Sequence, residues 1–260
     1  MKIDTQLTLT HTYDIRSYEP RPDGEISITA ICDHLQDIAS RHADVMGFGL
    51  RDLEKSGHLW LLARLHLMLD RLPTFGEAAR VTTWPSGNER LVANRDFLIE
   101  DAKGVIGRAT TAWVTMNRET QRPDKPEQVL HNRYIPDMDR ALLFPTRAIT
   151  RLKTGDHTAP ITARRSDIDI NGHVNNVCYT KFCLESVPQE WEDTHRCMGL
   201  DIQFRSESFA GDAYASFCVE SEESEAHKTL LHGLTRSEDN KEIVRMRTWW
   251  KKKTSDGSKA

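Results

Sequence analysis

One short segment concentrates the side chains that enzymes use for acid–base chemistry. Between Ser166 and Asn176 lie two acids, three asparagines and one histidine. In an extended or gently curled segment Asp169, Asn171 and His173 face one side, because they are two residues apart. A predicted helix follows directly, and the unpaired N–H groups at a helix start stabilise a developing negative charge. A carboxylate, an amide and an imidazole beside such donors suit attack on an acyl carbonyl.

A second acid, Glu207, follows a predicted strand over 200–206 and precedes a turn at Gly211. A carboxylate in that place can act as a proton acceptor, although a solvated carboxylate at a strand end is the common alternative. Asp, Asn and Gly are also the usual residues of turns and helix caps. An elaborate helix start without chemistry is therefore the alternative for the first segment.

Other catalytic chemistries have little support in the sequence. The histidines lack a paired ligand spacing such as His-Glu-x-x-His, so no metal site is expected. Cys178 and Cys183 follow His173 inside the predicted helix, where a thiol more often packs than attacks. Neither a Gly-x-Ser-x-Gly elbow nor a glycine-rich phosphate loop is present, so no cofactor is expected.

Composition excludes several further classes of protein. The 260 residues carry a net charge of −4, which argues against general nucleic-acid binding. No apolar run approaches the roughly 18 residues of a membrane span, and the first residues do not resemble a signal peptide. The five cysteines are an odd number without a Cys-x-x-Cys pair, unlike a disulfide framework or a zinc knuckle. These features predict a cytoplasmic protein.

Each half of the chain shows a helix pattern followed by strands. Ser27 is a candidate N-cap for a helix of about 20 residues that ends near Gly47, with apolar residues at spacings of three and four. A second helical pattern covers 176–191. The predicted strands are 6–16, 59–72, 78–85, 94–101, 105–116, 200–206, 213–220, 229–236 and 243–251.

Corresponding turns in the two halves indicate an internal repeat. Residues 74–77 resemble 209–212, and the hairpin at 101–105 resembles 239–243, at an offset of about 136 residues. Coincidence between generic strand turns is the alternative. The predicted organisation is an N-terminal domain over 1–117, a proline-rich connector over 118–150 and a C-terminal domain over 151–260.

These features together resemble the acyl-ACP thioesterases, a family of tandem double-hotdog enzymes. Residues 166–176 are similar to the family motif Asp-x-Asn-x-His-Val-Asn-Asn, and the likeness extends along almost the whole chain. Other similar segments are 13–19, 34–37, 70–77 and 94–97. The resemblance implies an α+β fold in which each half packs a long helix on an antiparallel β-sheet.

The resemblance implies that the catalytic residues are Asp169, Asn171, His173 and Glu207. Asp169 either orients its two neighbours or acts as the nucleophile. Many plant relatives have Cys directly after the glutamate, whereas this chain has Ser208. Water activated by Glu207 or His173 therefore fits this chain better than a cysteine nucleophile.

The implied reaction is hydrolysis of fatty acyl-acyl carrier protein (acyl-ACP) to free fatty acid and ACP, which ends chain elongation in fatty acid biosynthesis. The family places the acyl chain in a pocket of the N-terminal domain. Because ACP is acidic, docking should use basic residues, and Arg164, Arg165 and Lys181 are candidates. The chain resembles a bacterial-type enzyme without a plastid extension, and both a monomer and a homodimer are open.

Three other functions are compatible with a hotdog fold. The nearest is an acyl-CoA thioesterase, which would share most of the catalytic chemistry, although the sequence shows no pattern typical of a nucleotide-binding face. A hotdog dehydratase usually pairs His with an acid on the helix, unlike the Asp-x-Asn-x-His arrangement here. A non-catalytic acyl-thioester-binding protein would be expected to lack the acidic and amide side chains that this chain retains.

Overall fold

The computed structural model of the protein describes residues 7–129, 139–221 and 228–253. The chain divides into two compact units, Met1–Thr146 and Arg147–Ala260. The division lies inside the predicted connector. The connector's own bounds stay a prediction, and its residues 130–138 lie outside the described residues.

The N-terminal unit is one antiparallel sheet with a long helix packed on it. The strand order is β1-β3-β4-β5-β2, and the short β6 pairs with β5. The helix α1 packs against β1 and β3. The elements are β1 Leu9–Asp14, α1 Ile28–Val45, α2 Leu50–Lys55, β2 His58–Leu69, β3 Ala78–Glu89, β4 Val92–Asp101, β5 Gly104–Asn117, β6 Pro123–Asp124 and α3 Pro126–Val129.

The start and the buried face of α1 follow from its sequence. The Ser27 side chain accepts a hydrogen bond from the Ala30 N–H at 3.2 Å, which confirms the predicted cap. Ile31, Leu35 and Ile38 are buried at spacings of four and three. Burying a Leu or Ile side chain stabilises the fold by roughly 1.5–3 kcal/mol, so this apolar face holds the helix on its sheet.

The C-terminal unit repeats this plan with a shorter helix. Its strand order is β8-β11-β10-β9-β7, again antiparallel, and α4 contacts β9, β10 and β11. The elements are β7 His157–Thr162, a 3₁₀ turn Arg165–Asp167, α4 Asn176–Leu184, α5 Gln189–Thr194, β8 His195–Phe204, β9 Ala213–Ser221, β10 Lys228–Arg236 and β11 Glu242–Lys252.

The predicted helix over 176–191 was wrong in one respect, because the structure breaks it into α4 and α5. The break lies at Glu185–Pro188. Proline lacks a backbone N–H and its ring clashes with the preceding turn, so α4 ends before Pro188 and α5 begins after it. Trp191, which the pattern placed in the first helix, belongs to α5.

The two corners predicted to correspond are built alike. In the N-terminal unit the Glu77 carboxylate accepts from the Thr74 N–H at 2.7 Å. In the C-terminal unit the Asp212 carboxylate accepts from the Phe209 N–H at 3.1 Å. The glycine of each corner has positive φ, +89° at Gly76 and +92° at position 211, a conformation that favours glycine. The shared hydrogen bonds support the predicted repeat.

Residues 139–146 run across the face of the N-terminal sheet opposite to α1. Successive strand side chains alternate between faces, and the Arg95 side chain lies 2.8 Å from His42 of α1, so Asp96 points away from the helix. Its buried carboxylate accepts from Arg140 Nε at 2.9 Å and from the Ala141 N–H at 2.7 Å. Arg64 donates to the Pro145 carbonyl at 3.1 Å. This part of the connector is thus attached to its own unit by buried polar contacts.

Candidate active site

The motif segment 168–174 folds into a tight hairpin in the C-terminal unit. The Asp169 N–H donates to the His173 carbonyl at 2.9 Å, and the Gly172 N–H donates to the Asp169 carbonyl at 3.0 Å. Ile168 and Val174 form an antiparallel bridge at its base. Gly172 has φ +80°, which an L side chain adopts only with strain. The hairpin therefore positions Asp169, Asn171 and His173, hereafter the Asp–Asn–His triplet.

Asp169 holds Asn171 in place. Its Oδ1 accepts from the Asn171 backbone N–H at 2.8 Å, and its Oδ2 accepts from the Asn171 side-chain amide at 3.3 Å. Asp169 is half-buried and Asn171 is exposed. Because an amide nitrogen carries two hydrogens, one remains for a substrate carbonyl after the bond to Asp169. This geometry favours orientation as the role of Asp169.

The hairpin is tied to the start of α4 and to the segment after β8. The Val174 N–H donates to the Ser208 carbonyl at 2.9 Å, and the Asn175 N–H donates to the Asp167 carbonyl at 2.8 Å. The Asn175 side chain caps α4 by accepting from the Val177 N–H at 2.9 Å. The positive end of the α4 dipole consequently lies next to the triplet.

Glu207 meets the triplet at His173. Its Oε2 lies 3.7 Å from His173 Nε2, too long for a direct hydrogen bond, and the two side chains are 46% and 30% exposed. Both groups can contact one water molecule at about 2.8 Å from each. The ring of Phe209 packs edge-on against the His173 ring, with centroids 5.2 Å apart. Phe209 could not be singled out from the sequence, because an exposed aromatic residue at a turn has no chemical signature of its own.

Ser208, next to Glu207, is closed to solvent. It is fully buried, and the buried phenols of Tyr179 and Tyr214 lie in the same region. Burial raises the pKa of both phenols, to about 12 for Tyr214, so both are neutral at physiological pH. A buried hydroxyl among neutral phenols cannot meet a substrate, which disfavours Ser208 as a nucleophile.

The alternative Cys–His pairing is also disfavoured. All five cysteines are buried, and none of them forms a disulfide bond. Burial raises the pKa of the Cys183 thiol, and the thiolate is the nucleophilic form. In residues 7–129, 139–221 and 228–253, no cluster of three or more His, Cys, Asp or Glu has metal-binding geometry.

The N-terminal unit contains the same hairpin backbone before α1. The Arg21 N–H donates to the Glu25 carbonyl at 2.8 Å, and the Gly24 N–H donates to the Arg21 carbonyl at 2.9 Å. Gly24 has φ +84°, and the Ser27 N–H donates to the Glu19 carbonyl at 3.0 Å. These three hydrogen bonds match the ones donated in the C-terminal unit by the backbone N–H groups of Asp169, Gly172 and Asn175, the N-cap of α4. The backbone framework is therefore common to both units.

The side chains on the two hairpins differ. The positions of the triplet are occupied in the N-terminal unit by Arg21, Asp23 and Glu25, and Arg21 pairs with Asp23 at 2.7 Å. The Ile26 N–H donates to the Pro73 carbonyl, just as the Val174 N–H donates to the carbonyl of Ser208, the residue after Glu207. Leu72 thus stands where the second unit has its acid. Of the two hairpins, only the C-terminal one carries the acid, the amide and the imidazole.

A matched pair of glycine variants distinguishes an effect on the stability of the hairpin from an effect on hydrolysis. No atom lies within 4 Å of a Cβ added at Gly172 or Gly24, so only the positive φ is unfavourable to alanine. We expect Gly172→Ala and Gly24→Ala each to lower the free energy of unfolding by about 1–2 kcal/mol. Only Gly172→Ala should also reduce thioester hydrolysis, measured by product release. Equal rates for the two variants would contradict a role for the 168–174 hairpin.

The comparisons with known proteins place the chain in a single class. Residues 6–133 match the family model "Acyl-ACP thioesterase N-terminal domain", and residues 151–252 match "Acyl-ACP thioesterase C-terminal domain". Two helix-on-sheet units in tandem are the double-hotdog arrangement of thioester hydrolases. The chain belongs to the acyl-ACP thioesterase family, as its sequence predicted.

Individual relatives agree with the family match. Oleoyl-acyl carrier protein thioesterase 1 of Arabidopsis thaliana, a chloroplastic protein, is 30% identical over 96% of this chain and 77% of its own length. The solved 12:0-ACP thioesterase of Umbellularia californica is 30% identical, with a TM-score of 0.85 and 95% of each chain covered. A solved acyl-ACP thioesterase of Bacteroides thetaiotaomicron is 28% identical, with a TM-score of 0.82 over 95% of this chain and 98% of that one. The chain spans 63–66% of the length of several chloroplastic palmitoyl-ACP relatives.

Proposed function

We propose that the protein hydrolyses the thioester of fatty acyl-ACP, releasing free fatty acid and ACP and so ending chain elongation. Family membership supports the substrate class. The observation that supports the chemistry is the approach of Glu207 and His173, 3.7 Å apart, beside the Asp169–Asn171 pair. An acid and an imidazole at that distance can share one water molecule and remove its proton.

In the proposed mechanism Glu207, together with His173, positions and deprotonates the attacking water. The water oxygen bonds to the acyl carbon, the C–S bond of the tetrahedral intermediate then breaks, and the proton held by Glu207 and His173 passes to the leaving sulfur of the carrier. The Asn171 amide, held by Asp169, donates to the acyl oxygen as negative charge develops there, and the start of α4 adds its positive dipole. Asp169 then acts through Asn171 rather than on the substrate. An acyl group trapped on Asp169 by rapid quenching would instead make it the nucleophile.

The acyl chain is proposed to lie in the N-terminal unit, beside α1 and the strands that follow it. Each buried methylene contributes roughly 0.8 kcal/mol, so the depth of an apolar pocket there would set the preferred chain length. The docking surface for ACP is proposed to include Arg164, Arg165 and Lys181, which are all exposed and lie at or near the hairpin and α4. In the described residues no helix is long and apolar enough to cross a membrane. A cytoplasmic location and a monomeric or dimeric state stay predictions from the sequence.

The experiment that tests this function is a panel of acyl-ACP and matched acyl-CoA thioesters of increasing chain length. We expect fatty acid release with a higher kcat/KM on the ACP substrates. The paired charge reversals Arg164→Glu and Arg165→Glu should raise KM for acyl-ACP and leave acyl-CoA kinetics nearly unchanged, because electrostatic steering requires the acidic carrier. Preference for acyl-CoA would favour the nearest alternative, an acyl-CoA thioesterase. Binding without release from either carrier would make the protein a non-catalytic acyl-thioester binder.

A further inference from the structure

Among the residues that the structure describes, the imidazole of His173 lacks the hydrogen bond that usually orients a catalytic histidine. Enzymes commonly fix such a ring through a bond from its second nitrogen to a carboxylate or carbonyl. In the described parts of the chain, the ring of His173 makes the 3.7 Å approach to Glu207 and an aromatic contact, and no hydrogen bond. Its orientation must therefore depend on packing.

The aromatic contact comes from Phe209. The two rings lie edge to face, with an interplanar angle of 71° and centroids 5.2 Å apart. This is a favourable geometry for aromatic pairs. Phe209 is 50% exposed, so the contact does not result from general burial in the core.

The backbone of Phe209 is fixed although its ring is half-exposed. Its N–H donates to Asp212 Oδ2 at 3.1 Å, and its carbonyl accepts from the Asp212 N–H at 3.2 Å. Asp212 Oδ2 also accepts from Arg236 at 3.3 Å. Arg236 in turn binds both carboxylate oxygens of Asp239, and these hydrogen bonds lower the pKa of Asp239 to about 2. The Phe209 ring thus projects from a turn whose backbone is stabilised by hydrogen bonds to charged side chains.

The equivalent corner of the N-terminal unit lacks this pair. Thr74 occupies the position of Phe209, and Glu25 occupies the position of His173. The hydrogen bonds to the backbone are the same in both turns, so the turn itself does not require an aromatic residue. Of these two corners, only the one beside the imidazole-bearing hairpin carries an aromatic ring against that hairpin.

We infer that Phe209 is a positioning residue, which holds the His173 ring with Nε2 directed at Glu207. It acts through His173 and takes no part in the proton transfer. This inference rests on the proposed function, because it assigns Phe209 a task in the same hydrolysis. An aromatic pair of this kind restrains the ring by an amount equivalent to about two- to tenfold in rate.

The kinetic test compares Phe209→Ala and Phe209→Tyr with the wild type. Phe209→Ala should lower kcat about two- to tenfold with KM nearly unchanged, and Phe209→Tyr should restore most of the rate. Phe75→Ala is the matched control, because Phe75 is 63% exposed in the corresponding N-terminal turn. It should leave the kinetics unchanged. A change in KM alone for Phe209→Ala would overturn the inference and indicate contact with substrate.

A double-mutant cycle with His173→Ala distinguishes positioning from any direct effect. In the His173→Ala background Phe209→Ala should cause no further loss, since the ring to be positioned is gone. Equal losses in both backgrounds would overturn the inference. Turnover of acyl-ACP by the wild-type enzyme is the reference for the cycle. If the wild-type enzyme does not hydrolyse acyl-ACP, the result counts against the proposed function and not against the contact between the two rings.

A readout independent of activity is the NMR signal of the His173 imidazole, assigned by its loss in His173→Ala. The ring protons should shift in Phe209→Ala and stay in place in Phe75→Ala, because the aromatic ring next to the imidazole is removed only in the first variant. Unchanged His173 signals in Phe209→Ala would overturn the inference even where the enzyme is active.

Discussion

Glu207→Gln is expected to lower kcat for acyl-ACP hydrolysis by about 10²- to 10⁴-fold, the usual contribution of a general base. Glutamine keeps the size and hydrogen-bonding reach of the side chain but cannot accept the proton of the attacking water. KM should change little, because in the proposed mechanism the carboxylate contacts the attacking water rather than the acyl chain or the carrier. Steady-state release of fatty acid from a saturating acyl-ACP substrate measures the effect.

The matched control is Glu220→Gln on β9. The Glu220 side chain is 45% exposed, close to the 46% of Glu207, and it pairs with Lys228 outside the site. Both variants should keep the free energy of unfolding within about 0.5 kcal/mol of wild type, since surface substitutions rarely change it more. A Glu207→Gln enzyme with full turnover would remove Glu207 from the mechanism.

Asp96→Asn is expected to destabilise the N-terminal unit by about 3–5 kcal/mol, the usual cost of breaking a buried ion pair. The carboxylate is fully buried and accepts from Arg140, the Ala141 N–H, Thr110 at 2.7 Å and Ser86 at 2.8 Å. An amide in its place would direct an N–H₂ group at these donors and leave Arg140 without a counter-charge. Chemical denaturation measures the loss.

Glu100→Gln is the control on the same strand. Glu100 pairs with Arg80, whose side chain is 57% exposed, and such solvated pairs contribute about 0–1 kcal/mol. The midpoint of thermal unfolding should therefore fall by about 10 °C in Asp96→Asn and by a few degrees at most in Glu100→Gln. A loss below about 1 kcal/mol in Asp96→Asn would contradict the view that the buried network attaches residues 139–146 to the sheet.

Features that depend on near neighbours in the chain could be predicted from the sequence. The cap at Ser27 and the apolar face of α1 each involve residues within a few positions of one another. The same holds for the Asp169–Asn171 hydrogen bonds, which join residues two apart. Local sterics and spacing determine such geometry before the fold is complete. The segment 169–173 was expected to be extended or gently curled, and the structure instead folds it into a tight hairpin.

Features without a local signal were missed or misjudged. The strand β7 is a mostly exposed edge strand that contains Pro160, and its only apolar residues lie at 159–161, too short a run to predict a strand. The helix after the motif was predicted through 191, although Pro188 divides it. The partner of Asp96 lies 44 residues away at Arg140, a distance at which a sequence offers no pairing rule.

The sequence by itself determined the family and the tandem α+β plan, and it named the acid, amide and imidazole groups as candidates, because these depend on residue type and short spacing. Only the tertiary structure brought Glu207 to 3.7 Å from His173 and set the Phe209 ring against the imidazole. Those contacts join segments more than 30 residues apart and arise from the pairing of β8 with β11 in the sheet and from the hydrogen bond between the Val174 N–H and the Ser208 carbonyl. The physical reason is that sheet register and long-range hydrogen bonds place distant residues side by side, and neither can be read from one strand alone.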